Sequence, residues 1–155
     1  MNKTVLAALA AGATLLGAVP AAAAVVNDCG ETGRAEFIAE PWAQNTRTFY
    51  ARDFRIAVVD TGGEPACCSV HLMVLYTARP GDEPEYRACK IVSDRAGGFG
   101  FSGIDFRNIK ATYDAKRGLL LTVPVTTMAL DGATSKPSVI KVRLRDKPSS
   151  VTVER

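Results

Sequence analysis

From Phe54 onward the apolar residues recur at every second position in short runs, and turn residues end each run. Phe54, Ile56 and Val58 alternate with Arg55, Ala57 and Val59; Ile140, Val142 and Leu144 alternate with Lys141, Arg143 and Arg145. A period of two puts one set of side chains on one face of an extended strand, so this pattern predicts strands and argues against helices. The first strand is predicted over about Thr48–Val59. In the next, Cys68, Val70, Leu72, Val74 and Tyr76 share one face and Cys67, Ser69, His71, Met73 and Leu75 the other. Both of its faces turn apolar toward the end, as expected of a central strand covered on both sides. Tyr86–Val92 predicts another strand.

Turns separate these runs. Asp60–Pro65, Arg79–Pro84 and Asp131–Pro137 combine glycine, proline and small polar residues. Ile109, Ala111 and Tyr113 lead into Asp114-Ala115-Lys116-Arg117-Gly118, which predicts a type I turn closed by a left-handed glycine. Leu119, Leu121, Val123 and Val125 then complete a hairpin. Pro124 lacks a donor and predicts an edge position or a strand end. After Asp146–Ser149, Val151 and Val153 begin a last short strand. The segment Val25–Thr46 has no clear period and reads as an irregular arm with one short strand. The fold class expected is all-β: an antiparallel sandwich or small barrel of about seven to eight strands.

The chain opens MNKTVLAALAAGATLLGAVPAAAA. One lysine, an apolar stretch from Val5 to Val19, Pro20 and a block of alanines form the pattern of a secretory signal peptide. Cleavage is expected after Ala24, with Ala22 the alternative. The apolar stretch is short of the roughly 20 residues a spanning helix needs, so no transmembrane segment is expected in the mature chain. Residues 25–155 are expected to form a single β-rich domain, periplasmic or secreted. Asn27 and Asp28 precede Cys29, which does not suit lipid attachment.

Export changes how the four cysteines read, because an oxidising space converts paired thiols to disulfides. Cys29, Cys67, Cys68 and Cys89 are expected to form two structural bridges. Four cysteines allow three connectivities, which the sequence does not separate. On an extended chain Cys67 and Cys68 point to opposite faces, so one can meet Cys29 and the other Cys89. A ring between the two neighbours is the strained alternative, since it asks diverging Cβ vectors to meet. The redox signature Cys-x-x-Cys is absent.

The chain carries 19 basic and 16 acidic side chains, net +3, without the clustered excess of a nucleic-acid module. Gly98-Phe99-Gly100-Phe101 has the glycine–aromatic alternation of an RNA-binding strand. However, Gly97 stands where a basic residue belongs, and Ser102 and Ile104 break the rest. His71 is the only histidine, too few for a zinc ligand set, and no metal or cofactor is expected. No nucleophile elbow, phosphate-binding loop or carboxylate pair of telling spacing occurs. The function expected is therefore a non-catalytic binding domain for a protein or glycan of the cell envelope. Phe99, Phe101, Lys141, Arg143 and Arg145 are its candidate contact residues. The alternative is a small exported hydrolase using His71 with a carboxylate.

Overall fold

A computed structural model describes residues 23–62, 67–78, 84–129 and 131–154. Residues 1–22 of the expected leader, and parts of the turns after Asp60 and Thr77, lie outside the described residues. The described chain forms two antiparallel sheets. In the first, β1 (Val25–Asp28), β5 (Tyr86–Ser93), β4 (Val70–Ala78), β3 (Phe54–Asp60) and β2 (Thr46–Phe49) lie side by side in that order. In the second, β10 (Ser150–Glu154), β9 (Ser135–Arg145) and β8 (Gly118–Met128) follow one another. The free side of β8 is shared by β7 (Lys110–Asp114) and β6 (Gly103–Ile104).

The strands number ten among the described residues, against the seven to eight expected. The expected strand Thr48–Val59 is a hairpin of β2 and β3, closed where Phe49 pairs with Phe54. Its turn has neither glycine nor proline. Instead Tyr50, Ala51 and Arg52 all take positive φ, at 50°, 50° and 82°. The rest of the difference is β6, of two residues, too short for a period to show, while β1 is a short strand within the arm.

The alternation fixes what each sheet buries. Phe54, Ile56 and Val58 of β3 and Leu72, Val74 and Tyr76 of β4 face Leu119, Leu121, Val123 and Val125 of β8 and Val142 and Leu144 of β9 across one core. Most are fully buried, and each such side chain is worth about 1.5–3 kcal/mol. The opposite face of the first sheet carries a second cluster, Ala57, Val59, Met73 and Ile91. The N-terminal arm covers it with Phe37 and Ile38. Strand β4 is thus covered on both sides, as its two apolar faces require.

Pro124 does not end its strand. Strand β8 runs on to Met128, and Pro124 pairs with Val139. Its carbonyl accepts from Asp105 N (3.0 Å) on the side where β7 has stopped and β6 has yet to pair. The missing donor points to the same side, into that gap, so no ladder bond is lost.

The disulfides join Cys29 to Cys89 and Cys67 to Cys68. Of the three connectivities left open by the sequence, this is the one that joins the neighbours; Cys67 and Cys68 do not take distant partners, and β4 begins only at Val70. Cys68 has φ 74°, so the two neighbours do not lie on opposite faces of a strand. Cys29–Cys89 bridges positions 60 apart and ties the arm to β5. Closing a loop of that length stabilises by about 4 kcal/mol through the unfolded chain.

Candidate functional site

One end of the sandwich gathers three turns from distant parts of the chain: Tyr50–Arg52, the β7–β8 turn and the β9–β10 turn. The left-handed turn is pinned by its hydrogen bonds. Asp53 N donates to Tyr50 O (2.9 Å), and Thr77 N donates to Asp53 O (3.1 Å). For a residue with a Cβ, left-handed backbone costs about 1–2 kcal/mol, and such outliers gather at functional sites.

The turn places Tyr50 at the outer end of an aromatic row. Tyr76 stacks on Phe54 (centroids 5.4 Å apart), Phe54 meets Tyr50 (5.5 Å), and Tyr50 meets the edge of Tyr113 (5.9 Å). The row runs from the core to the surface, where Tyr113 is 64% exposed. Burial, followed by the neighbouring Tyr113, raises the Tyr50 phenol above its ordinary range, so it remains a protonated donor.

The β7–β8 turn is built as its sequence implies. Gly118 has φ 86°, and Asp114 Oδ1 accepts from Lys116 N and Arg117 N, both at 2.8 Å. These two donors hold the Asp114 carboxyl below its ordinary value. Across from it, Ser149 Oγ donates to Asp146 O (2.8 Å) and shapes the β9–β10 turn.

Between the turns lies a cleft of about 190 Å³, lined by Tyr50, Tyr113, Lys116, Arg145, Asp146 and Lys147 among others. Lys116, Arg145 and Lys147 form no salt bridge among the described residues. Three cations against one lining carboxylate, beside two phenols, make a positive, partly aromatic hollow. It is suited to holding an anionic group.

The residues singled out from the sequence are scattered. Arg145 lines the cleft and Lys141 is exposed on the outer face of β9. Arg143 is 5% exposed, with its guanidinium committed to Glu154. Phe99 lies at the opposite end of the sandwich, 54% exposed, with the Arg95 guanidinium 5.8 Å from its ring centroid. Phe101 is fully buried in the core. His71 is 2% exposed, and its Nδ1 is 2.9 Å from Ser93 Oγ, itself 1% exposed. Burial lowers the His71 pKa and keeps the ring neutral, while Asp60 opposes the shift. Asp94, the nearest carboxylate in sequence to Ser93, pairs with Arg95 at 2.8 Å. Among the described residues no group of three or more His, Cys, Asp or Glu is placed to hold a metal ion.

Tyr50, Tyr113 and Lys116 were not among the contact residues expected from the sequence. The signal available was local: an aromatic at a hairpin end, three residues before the Lys116-Arg117 pair of the turn. A second hollow, shallow and about 410 Å³, runs over Pro124, Pro137 and Val139 with Asp105 at its rim. It offers little polar chemistry. Among the described residues no helix is long and apolar enough to cross a membrane. No protein-family model, curated protein or solved structure matches this chain.

Proposed function

We propose that the chain is an exported, non-catalytic binding domain that takes an acidic glycan at the Tyr50–Tyr113 end of its sandwich. The observation that carries this reading is the convergence of three unpaired cations and an exposed tyrosine on one cleft. A volume near 190 Å³ is smaller than the clefts that enclose a whole ligand, which run to roughly 300–1,000 Å³. It suits one unit of a longer chain. A pyranose lays its C–H face on a flat ring such as Tyr113, while its carboxylate meets Lys116, Arg145 or Lys147. The left-handed Tyr50 turn supports the reading, because strained backbone is kept where a side chain must be held in place. Two disulfides and a signal-like N-terminus support export to an oxidising space.

The test is calorimetric titration of residues 25–155 with oligogalacturonate, a neutral oligosaccharide of equal length and an acidic peptide. Binding to the first alone, weakening as salt screens the cations, is the expected result. Tyr113→Ala should weaken it about tenfold, the loss of roughly 1.4 kcal/mol. Arg145→Glu should weaken it further and flatten the salt dependence. Equal binding of the neutral sugar, or preference for the peptide, would overturn the glycan assignment.

A further inference from the structure

The two disulfides sit in unlike surroundings. Cys29–Cys89 packs into the second apolar cluster, beneath Gly33; a Cβ on that glycine would stand 3.0 Å from Cys29 Sγ. Cys67–Cys68, half-buried like the other bridge, belongs to neither apolar cluster and lies at the sandwich end opposite the cationic cleft. A bridge between neighbours closes no loop of consequence, so it removes almost no entropy from the unfolded chain. Its effect is local. The φ torsion of Cys68 is one of the bonds inside the ring, and it stands at 74°. In an open chain a residue with a Cβ disfavours that region by about tenfold or more.

That backbone direction sets a clamp. Cys68 O accepts from Gly100 N at 2.6 Å. Beyond it, Val70 O accepts from Phe101 N (2.7 Å) and Phe101 O accepts from Val70 N (3.2 Å). The fit has no slack, since a Cβ on Gly100 would lie 2.6 Å from both carbonyl oxygens and 2.9 Å from His71 Cε1. The clamped segment carries Phe99, exposed, and Phe101, buried in the core.

We propose that Cys67–Cys68 is a thiol–disulfide exchange site whose redox state decides whether the Gly100 amide, and with it the Phe99 side of the Arg95–Phe101 segment, is held by the Cys68 carbonyl just ahead of β4. The co-reactant is a dithiol. Its thiolate attacks one cysteine Sγ, forms a mixed disulfide and expels the other Sγ as a thiolate. The second thiol of the reductant then attacks the mixed bond, closes the reductant's own disulfide and releases the second cysteine. Two electrons pass to the protein, and the two protons given up by the dithiol end on Cys67 and Cys68. With the ring open, Cys68 leaves the left-handed region, its carbonyl turns from Gly100, and the stretch bearing Phe99 loosens while Val70 still holds Phe101.

The test is limited reduction of the folded, oxidised protein with dithiothreitol, followed by alkylation and peptide mass mapping. Cys67 and Cys68 should be labelled at least tenfold faster than Cys29 and Cys89. Hydrogen exchange at the Gly100 amide should quicken about tenfold in the same sample. Two variants separate the ring from the sulfur. The double variant Cys67→Ser/Cys68→Ser should show the fast exchange without reductant. Cys67→Ser/Cys68→Gly should keep the protection, because glycine holds positive φ unaided. Reduction of Cys29–Cys89 first, an unchanged Gly100 amide on reduction, or equal protection in the two variants would overturn the proposal.

Discussion

Arg143 lays Nε and Nη2 against the two carboxylate oxygens of Glu154, at 2.9 and 3.0 Å, while its Nη1 donates to Gly118 O at 3.2 Å. Arg117 reaches the same carboxylate at 2.6 Å. The pair joins β9 to β10 and backs the turn that lines the cationic cleft. It also removes Arg143 from the charges that face solvent, which leaves Arg145 as the arginine of β9 that lines the cleft.

Glu154 is held down to about 2 from its ordinary 4.5, first by the Arg143 hydrogen bonds and then by Arg117. A carboxyl lowered in the folded state stabilises fully above 4.5, and the contribution is lost as pH falls from there toward 2. Glu154→Gln should therefore lower the thermal midpoint at pH 7 and flatten the acid limb of a stability–pH curve. The limb should not vanish, because turn donors also hold Asp114 and Asp131 below their ordinary values. Thermal melts from pH 7 to pH 2 check both expectations. A curve for Glu154→Gln that matches the parent would count against the pair.

His71 titrates in a separate window. Burial lowers its folded pKa below 6.5, so the unfolded chain binds the proton first as the solution is acidified. Stability should be complete above 6.5 and decline as pH falls through 6.5 toward the lower folded value, before the carboxylates begin to protonate. His71→Gln should remove this first decline and leave the lower one. Urea midpoints at pH 7.5 and pH 5 distinguish the outcomes; an identical decline in both proteins would refute the assignment.

Phe99 and Phe101 are two residues apart and should respond very differently to truncation. Phe101→Ala empties a fully buried site and should cost about 3–5 kcal/mol. Phe99→Ala removes an exposed ring that lies 5.8 Å from the Arg95 guanidinium, and should fall within about 0.5 kcal/mol of the parent. Chemical denaturation of both variants is sufficient. Comparable losses would mean that the core boundary lies elsewhere.

This pair also shows what the sequence could convey. Alternation told which residues of β3, β4, β8 and β9 face a core, because one buried face imposes a period of two on a long strand. The Asp114–Gly118 turn was legible because its aspartate and left-handed glycine each have a single structural use there. The Tyr50–Arg52 turn was not legible. Its conformation is imposed by the Phe49–Phe54 pairing and the Thr77–Asp53 bond, against the preference of its own residues. The vicinal bridge was left open for a related reason: face assignments presume an extended chain, and Cys68 lies before β4 begins. The cleft was half visible. Arg145 belonged to a basic stripe, but Tyr50 and Tyr113 meet only through the packing of two hairpins from different sheets.

Gly118 and Gly132 both have positive φ, at 86° and 68°, yet they should differ in what a methyl group costs. At Gly132 nothing lies within 4 Å of an added Cβ, so Gly132→Ala bears only the left-handed penalty of about 1–2 kcal/mol. At Gly118 the added Cβ would run into the Leu144 carbonyl oxygen and lie 3.2 Å from Arg145 Cγ. That contact sits in the β8–β9 ladder, where Leu119 pairs with Leu144, so relief requires the strands to part. Gly118→Ala should therefore cost at least about 1 kcal/mol more than Gly132→Ala. It should also weaken binding at the cleft that Gly118 lines and Arg145 borders. Urea denaturation gives the first comparison and oligogalacturonate titration the second. Equal stability losses would show that β8 and β9 give way without strain, and unaltered binding would separate the cleft from its supporting turn.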